Sequence, residues 1–275
     1  MPEMPEVEMI RRSLAPNLEN KQIVDMDILL PRQIKWPDTE EFHSMLVGRM
    51  IKKMNRHGKY LLLELDNGNL LVIHLRMTGQ LLYRENLDTQ DGHSRLIFHL
   101  SDGSRLVYAD TRTLGTIYAL KQDEIWRVSG LCSLGPEPLS EDFTPEYLAS
   151  TLEKCRAVLK SFLLNQKYIG GLGNIYADEA LAEARLHPLK RACDVNGQEV
   201  QRLYTAINRV IAAGIADGGT TFRDYRDGNG QRGRHQEQLL VYGRTGCPCK
   251  RCQSPVQKIQ VGGRGTHFCP SCQVL

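Results

Sequence analysis

Cys249-Lys-Arg-Cys252 and Cys269-Pro-Ser-Cys272 decide the C-terminal fold. A two-residue gap lets both thiolates of a pair face one tetrahedral ion, and the sixteen residues between the pairs suffice for a return hairpin. Four thiolates suit zinc, and with no ligand position left open the expected role is one structural ion per chain. Two disulfides or an iron–sulfur centre are the alternatives. Cys247 competes as a ligand through Cys247-Pro-Cys249, but the Cys-x-x-Cys pairing is better precedented. The other cysteines, Cys132, Cys155 and Cys193, are scattered and read, like Cys247, as free thiols. Between the pairs lies Val261-Gly-Gly-Arg-Gly-Thr-His-Phe268, whose glycines permit a tight hairpin tip. Arg264 at that tip reads either as a bidentate phosphate ligand or as an ordinary exposed turn arginine.

Charge patterning supports a polyanion partner. Net charge is only +3, yet Val241–Leu275 holds five Lys or Arg and no acid. A solvated basic surface is the plainer alternative. The 275 residues suggest about two domains, and a hydrophobic fraction of 41% allows a buried core. No apolar run reaches eighteen residues, so no membrane span is expected. The start, Met1-Pro-Glu-Met-Pro-Glu-Val-Glu8, lacks an apolar signal core, which points to the cytoplasm.

Residues 1–135 read as an antiparallel β-sandwich or flattened barrel. Leu61–Leu65 and Leu70–His74 flank the turn Asp66-Asn-Gly-Asn69, and Arg95–Leu100 and Arg105–Ala109 flank Ser101-Asp-Gly-Ser104. Gln22–Leu30 and Met50–Asn55 add strand-like segments, and residues 5–14 look helical. Residues 136–225 read as helical. Thr144-Pro145-Glu146 is a helix start, and Val158, Leu159, Phe162 and Leu163 form an apolar stripe. Val200, Leu203, Tyr204, Ile207, Val210, Ile211 and Ile215 repeat at three and four until Gly218-Gly219. The composition shift near Leu134-Gly-Pro-Glu-Pro138 marks a boundary. Three segments are therefore expected, 1–135, 136–237 and 238–275. The glycine loop Gln166–Asn174 opens a helix with Asn174 as expected N-cap; it is either an anion site or a plain turn. The polar stretch Thr220–Gly233 has the length of a mobile, functional loop.

Taken together these features resemble the formamidopyrimidine-DNA glycosylase (Fpg, MutM) family. The resemblance rests on Met1–Glu8, His57-Gly-Lys59, His74-Leu-Arg-Met77, Asp110-Thr-Arg112, Leu134-Gly-Pro-Glu-Pro-Leu139, Gly173-Asn-Ile-Tyr176 and the cysteine hairpin with Gly263-Arg-Gly-Thr266. It implies an α+β fold: an N-terminal antiparallel β-sandwich, a helix-two-turn-helix module and a C-terminal zinc-finger β-hairpin. The implied activity is a bifunctional glycosylase and abasic-site lyase. It excises 8-oxoguanine and formamidopyrimidines from duplex DNA through a Schiff base, followed by β,δ-elimination. The implied partner is double-stranded DNA with oxidised bases or abasic sites, met by a monomer in the bacterial cytoplasm at the nucleoid.

The resemblance also assigns residues. Pro2 becomes the nucleophile once Met1 is removed, Glu3 the acid–base group and Glu6 a supporting acid. Lys59, Asn174 and Arg264 hold phosphates around the lesion, with Lys59 and Arg264 counted in the catalytic set, and His93 and Arg112 also touch DNA. Met77, Arg112 and Leu114 fill the void left by the extruded base, although core packing is the plain alternative for Met77 and Leu114. Two departures stand out. Leu114 replaces the usual phenylalanine and gives up aromatic stacking of roughly 1–3 kcal/mol, and Thr113 replaces a common lysine. The rivals are an endonuclease VIII-type enzyme for oxidised pyrimidines and a non-catalytic zinc-finger DNA-binding protein.

Overall fold

The computed structural model describes residues 2–85 and 92–275. The chain forms two compact units, Met1–Cys132 with Asp217–Arg234, and Ser133–Ala216 with His235–Leu275.

The first unit opens with helix α1 (Met4–Leu18), whose Val7, Ile10, Leu14 and Leu18 recur at three and four and are fully buried. Strand β1 (Ile23–Ile28) and the short β2 (Ile34–Trp36) precede α2 (Thr39–Leu46), which Asp38 caps by accepting from the Glu40 and Glu41 amides. Two hairpins follow, β3 (Ile51–His57) with β4 (Tyr60–Leu65) and β4 with β5 (Leu70–His74). Then come β6 (Gly79–Arg84), β7 (Ser94–Leu100), β8 (Arg105–Asp110), β9 (Thr116–Leu120) and the single-turn α3 (Ser129–Cys132).

These strands make two sheets, ordered β1-β7-β8-β6 and β2-β9-β5-β4-β3. Alternate residues of both, among them Leu61, Leu63, Ile73, Leu81, Phe98 and Leu106, share one core with α1. The expected sandwich is present, with one difference. Strand β2 joins β9 in parallel, so the second sheet is mixed.

The second unit contains α4 (Pro145–Glu153), α5 (Leu159–Leu164), α6 (Asn174–Ala184) and α7 (Gly197–Ala216). Thr144 caps α4 by accepting from the Tyr147 amide, as its hydroxyl predicts. In the stripe of α7, Val200, Leu203, Ile207, Val210 and Ile211 are buried, while Tyr204 and Ile215 are half-buried. The C-terminal hairpin pairs β10 (Gln257–Val261) with β11 (Arg264–Phe268). Gly262 and Gly263 at its tip have φ of 55° and 73°, the turn that the glycine pair predicts.

Compactness groups the chain differently from the three expected segments. Residues 217–234 pack within the first unit, where Gly228 N–H donates to Ser13 Oγ and Tyr83 N–H to the Gly228 carbonyl. The cysteine hairpin packs within the helical unit, for reasons that lie in α6. No helix among the described residues is long and apolar enough to cross a membrane.

Candidate active site and nucleic-acid interface

In the first unit, the chain start is buried. Pro2 is buried, and Glu3 and Glu6 are each 1% exposed. Met1 lies outside the described residues. Glu3 precedes the first turn of α1, and its N–H donates to Glu6 Oε2 at 2.8 Å. The other Glu6 oxygen accepts the Thr220 N–H at 2.7 Å. One carboxylate thus ties the terminus to the 217–234 segment, and Gly219 leaves room for it. A Cβ at Gly219, whose φ is +86°, would stand 3.1 Å from Glu6 Cγ. Tyr225 closes the same corner by donating to the Gly218 carbonyl. Glu8 binds Arg11, Arg12 and Arg56. Burial pushes its carboxyl up, but these guanidinium bonds outweigh it and hold the pKa at about 2.

Lys59 is 8% exposed in the β3–β4 turn, where Gly58 has φ of 58°. Near it, burial first, then the charges of Arg76 and Lys59, pull His74 down to about 3, so His74 is neutral. Its Nδ1 accepts the Arg76 N–H at 3.0 Å, which places the ring proton on Nε2. This bond braces Arg76 in a left-handed conformation (φ 54°) and turns out Met77, which is 36% exposed.

Arg112 and Leu114 lie on the β8–β9 loop. Arg112 is exposed and Leu114 is 47% exposed, so neither Met77 nor Leu114 serves as core. Asp110, itself 1% exposed, organises both loops. Its Oδ1 accepts from Thr78 Oγ1 at 2.6 Å and Arg112 N at 3.2 Å. Its Oδ2 accepts from Gln33 Nε2 at 2.9 Å, Gly115 N at 2.9 Å and Tyr108 OH at 3.2 Å. A single carboxylate therefore fixes Met77's neighbour and both flanks of the Arg112–Leu114 loop. His93 has φ of 65°, is exposed, and its carbonyl accepts the Asp110 N–H.

In the second unit, α6 carries the contacts. Gly173, not Asn174, holds the N-cap position, with extended backbone; Asn174 is the first helical residue. Its side chain is turned away from the helix amides, and Nδ2 donates to the Gly265 carbonyl at 3.1 Å. Its buried Oδ1 has no partner among the described residues. One turn on, Asp178 is fully buried and binds Lys160 Nζ at 2.6 Å. Its other oxygen accepts the His267 N–H at 2.8 Å and lies 3.0 Å from His267 Nδ1. Glu179 accepts the amides of Leu240, Val241 and Tyr242. Arg251 donates to the Ala182 carbonyl and pairs with Glu183. Helix α6 is thus bonded to the hairpin from its first turn to its last.

The sulfurs of Cys249, Cys252, Cys269 and Cys272 all lie within 4.8 Å of one another. Cys252 and Cys269 are 3.4 Å apart, and Cys249 and Cys272 are 4.0 Å apart. Four thiolates at roughly 2.3 Å from a tetrahedral ion stand about 3.8 Å from each other, so the cluster fits a metal. Cys247 is exposed and outside the cluster, and all eight cysteines are unbridged.

Three family models match successive stretches of the chain. Residues 1–117 match the formamidopyrimidine-DNA glycosylase N-terminal domain, 134–226 the formamidopyrimidine-DNA glycosylase H2TH domain, and 246–274 a zinc finger found in FPG and IleRS. The chain belongs to the formamidopyrimidine-DNA glycosylase family. Relatives in that family include the formamidopyrimidine-DNA glycosylases of Desulforamulus reducens, 46% identical over 274 residues, and Pelotomaculum thermopropionicum, 45% identical over 273. Each comparison covers 99% of both chains. Among solved structures, Lactococcus lactis Fpg bound to abasic-site DNA is 35% identical with a TM-score of 0.93. MutM bound to DNA containing carbocyclic 8-oxo-G is 36% identical with a TM-score of 0.92. Both cover 100% of each chain.

Sequence reasoning assigned no role to Asp110, Asp178 or Glu179. For the latter two a signal existed: an Asp-Glu pair inside Tyr-Ala-Asp-Glu-Ala-Leu-Ala, a helix otherwise small and apolar. Asp110 opens the Asp110-Thr-Arg112 motif, but its links to Thr78 and Gln33, 32 and 77 residues away, are not legible there.

Proposed function

We propose that this chain excises oxidised purines from duplex DNA and cleaves the resulting abasic site, with Pro2 as nucleophile. The observation that carries the reading is the buried corner at the chain start. Pro2 and Glu3 are buried there, and Glu6 fixes the Glu3 and Thr220 amides. After Met1 is removed, Pro2 offers a secondary amine. An α-amino group has a pKa of roughly 8 against ~10.4 for lysine, so more of it is unprotonated at neutral pH. The nitrogen attacks C1′ as the bond to the base breaks, and the base leaves with a proton. Glu3 protonates the ring oxygen as the sugar opens, leaving an iminium ion. The iminium acidifies the C2′ proton. Its removal expels the 3′ phosphate, and a second elimination expels the 5′ phosphate.

A stacked nucleotide hides C1′, so the base must leave the duplex. Met77, Arg112 and Leu114 would fill its place, with Arg112 bonding the orphaned base. Lys59, Asn174, Arg264 and His93 would hold the backbone. The amine of Lys160 is unsuited as nucleophile, since it is fully buried and bonded to Asp178 and the Asn174 carbonyl. The four cysteines would hold zinc, which shapes the hairpin and takes no part in the reaction.

Product analysis tests the reading. A duplex carrying 8-oxoguanine should yield free base and a one-nucleotide gap with phosphate on both ends. Activity confined to oxidised pyrimidines would give the reaction to the endonuclease VIII type. Duplex binding with no product on any oxidised base would leave only a metal-stapled DNA-binding protein.

A further inference from the structure

We infer that Asp178 is the positioning residue for the DNA-backbone contacts of Arg264 and Asn174, setting the register of β11 against α6. The inference rests on the reading of those two residues as phosphate ligands. Asn174 and Asp178 are four residues apart, about 6 Å along a helix. Gly265 and His267 are two apart, about 6.8 Å along a strand. The near match lets the helix and the strand meet at two rungs, Asn174 to Gly265 and Asp178 to His267. The first rung is a single amide bond at 3.1 Å. The second is a buried carboxylate receiving the His267 amide and facing its ring, with Lys160 as counter-charge. A slip of one residue along β11 would turn its side chains to the other face. Asp178 opposes that slip, because a displaced hairpin would leave one oxygen of its fully buried carboxylate without the His267 amide and ring. Arg264 begins β11 three residues before His267, and Asn174 begins α6 one turn before Asp178. Both proposed ligands therefore hang from the elements that this bond joins.

The test uses the full chain and a duplex with a tetrahydrofuran abasic-site analogue, with affinity measured from about 50 to about 200 mM salt. Asp178→Asn strands the Lys160 charge and risks unfolding, so the decisive variant is Lys160→Met with Asp178→Leu, which replaces the pair by apolar groups of similar size. Its zinc content should match the parent, and its melting temperature should fall only by the cost of the one stranded His267 amide, with the chain still folded. Its plot of log affinity against log salt should be shallower by about 0.9, the share of one phosphate contact. Adding Arg264→Ala should then cost little more, because the contact is already lost. A parental slope in the double variant, alongside a shallower slope in Arg264→Ala alone, overturns the role of Asp178. An unchanged slope in Arg264→Ala alone overturns the phosphate reading, and the inference with it.

Discussion

Replacing Asp110 should cost more than any other single change in the β-sandwich unit outside its apolar core. Five donors converge on its carboxylate, from Gln33, Thr78, Tyr108, Arg112 and Gly115. In Asp110→Ala the Thr78 hydroxyl can turn elsewhere and Gln33 keeps its bond to Tyr108. The Gly115 amide and the Tyr108 hydroxyl lose an acceptor in a buried setting. At about 1–3 kcal/mol for each stranded donor, plus a smaller loss at Arg112, the cost is about 3–6 kcal/mol. Asp110→Asn keeps the shape but turns an amide donor toward donors, and should cost roughly half. Urea unfolding measures both. Burial pushes the Asp110 carboxyl up, yet the bonds from Thr78, Gly115, Tyr108 and Arg112 outweigh it and leave the pKa below the usual range. Its stabilising effect is therefore complete above the unfolded pKa of roughly 3.9 and lost on acidification. Because the same carboxylate carries the Met77 and Arg112–Leu114 loops, Asp110→Asn should impair lesion excision more than cleavage of a ready-made abasic site, where no base has to be extruded. A stability loss below about 1 kcal/mol in Asp110→Ala, or equal losses on the two substrates, would refute the reasoning.

Other outcomes follow from the same geometry. Leu114→Phe should tighten binding to lesion duplexes by roughly 1–3 kcal/mol through restored stacking; a titration showing unchanged affinity would place residue 114 outside the stack. Glu8 has a depressed pKa, so its contribution is full above roughly 4.3 and fades as the pH falls toward about 2. Glu8→Gln should therefore flatten the acid limb of the stability curve in that window, and a limb of parental steepness contradicts the assignment. Chelation should unfold the cysteine hairpin, a short segment whose buried apolar residues, among them Val241, Val256, Val261 and Phe268, are few. Duplex binding should vanish while the sandwich keeps its circular dichroism; metal loss with undiminished affinity would contradict the role of the hairpin.

The parts of this fold that were legible in the sequence are the local ones. Cysteine spacing, the turns at Asp66–Asn69 and Ser101–Ser104, the Thr144 cap and the stripe of α7 each depend on neighbours within a few residues. What was illegible depends on partners far along the chain. Strand β2 is three residues long and pairs with β9, some eighty residues later. The 217–234 segment joins the first unit through Thr220 to Glu6 and Gly228 to Ser13, each more than two hundred residues apart. Asn174 reads as a cap because asparagine favours that position, yet Gly173 takes it and the amide goes to Gly265. Family motifs supplied the candidate residues themselves, Asp110 among them, but they did not show that the carboxylates of Asp110 and Asp178 hold those residues in place.

The central claim is that the amine at the start of the mature chain forms the bond to the sugar. Borohydride added during turnover of an 8-oxoguanine duplex reduces the iminium and fixes the adduct, and mass spectrometry of the digested product locates it. The sugar remnant is expected on the N-terminal peptide, on the nitrogen of Pro2, with no trapping in Pro2→Gly beyond a trace. An adduct on Lys59 or any other lysine, or an active chain that still carries Met1, would contradict it.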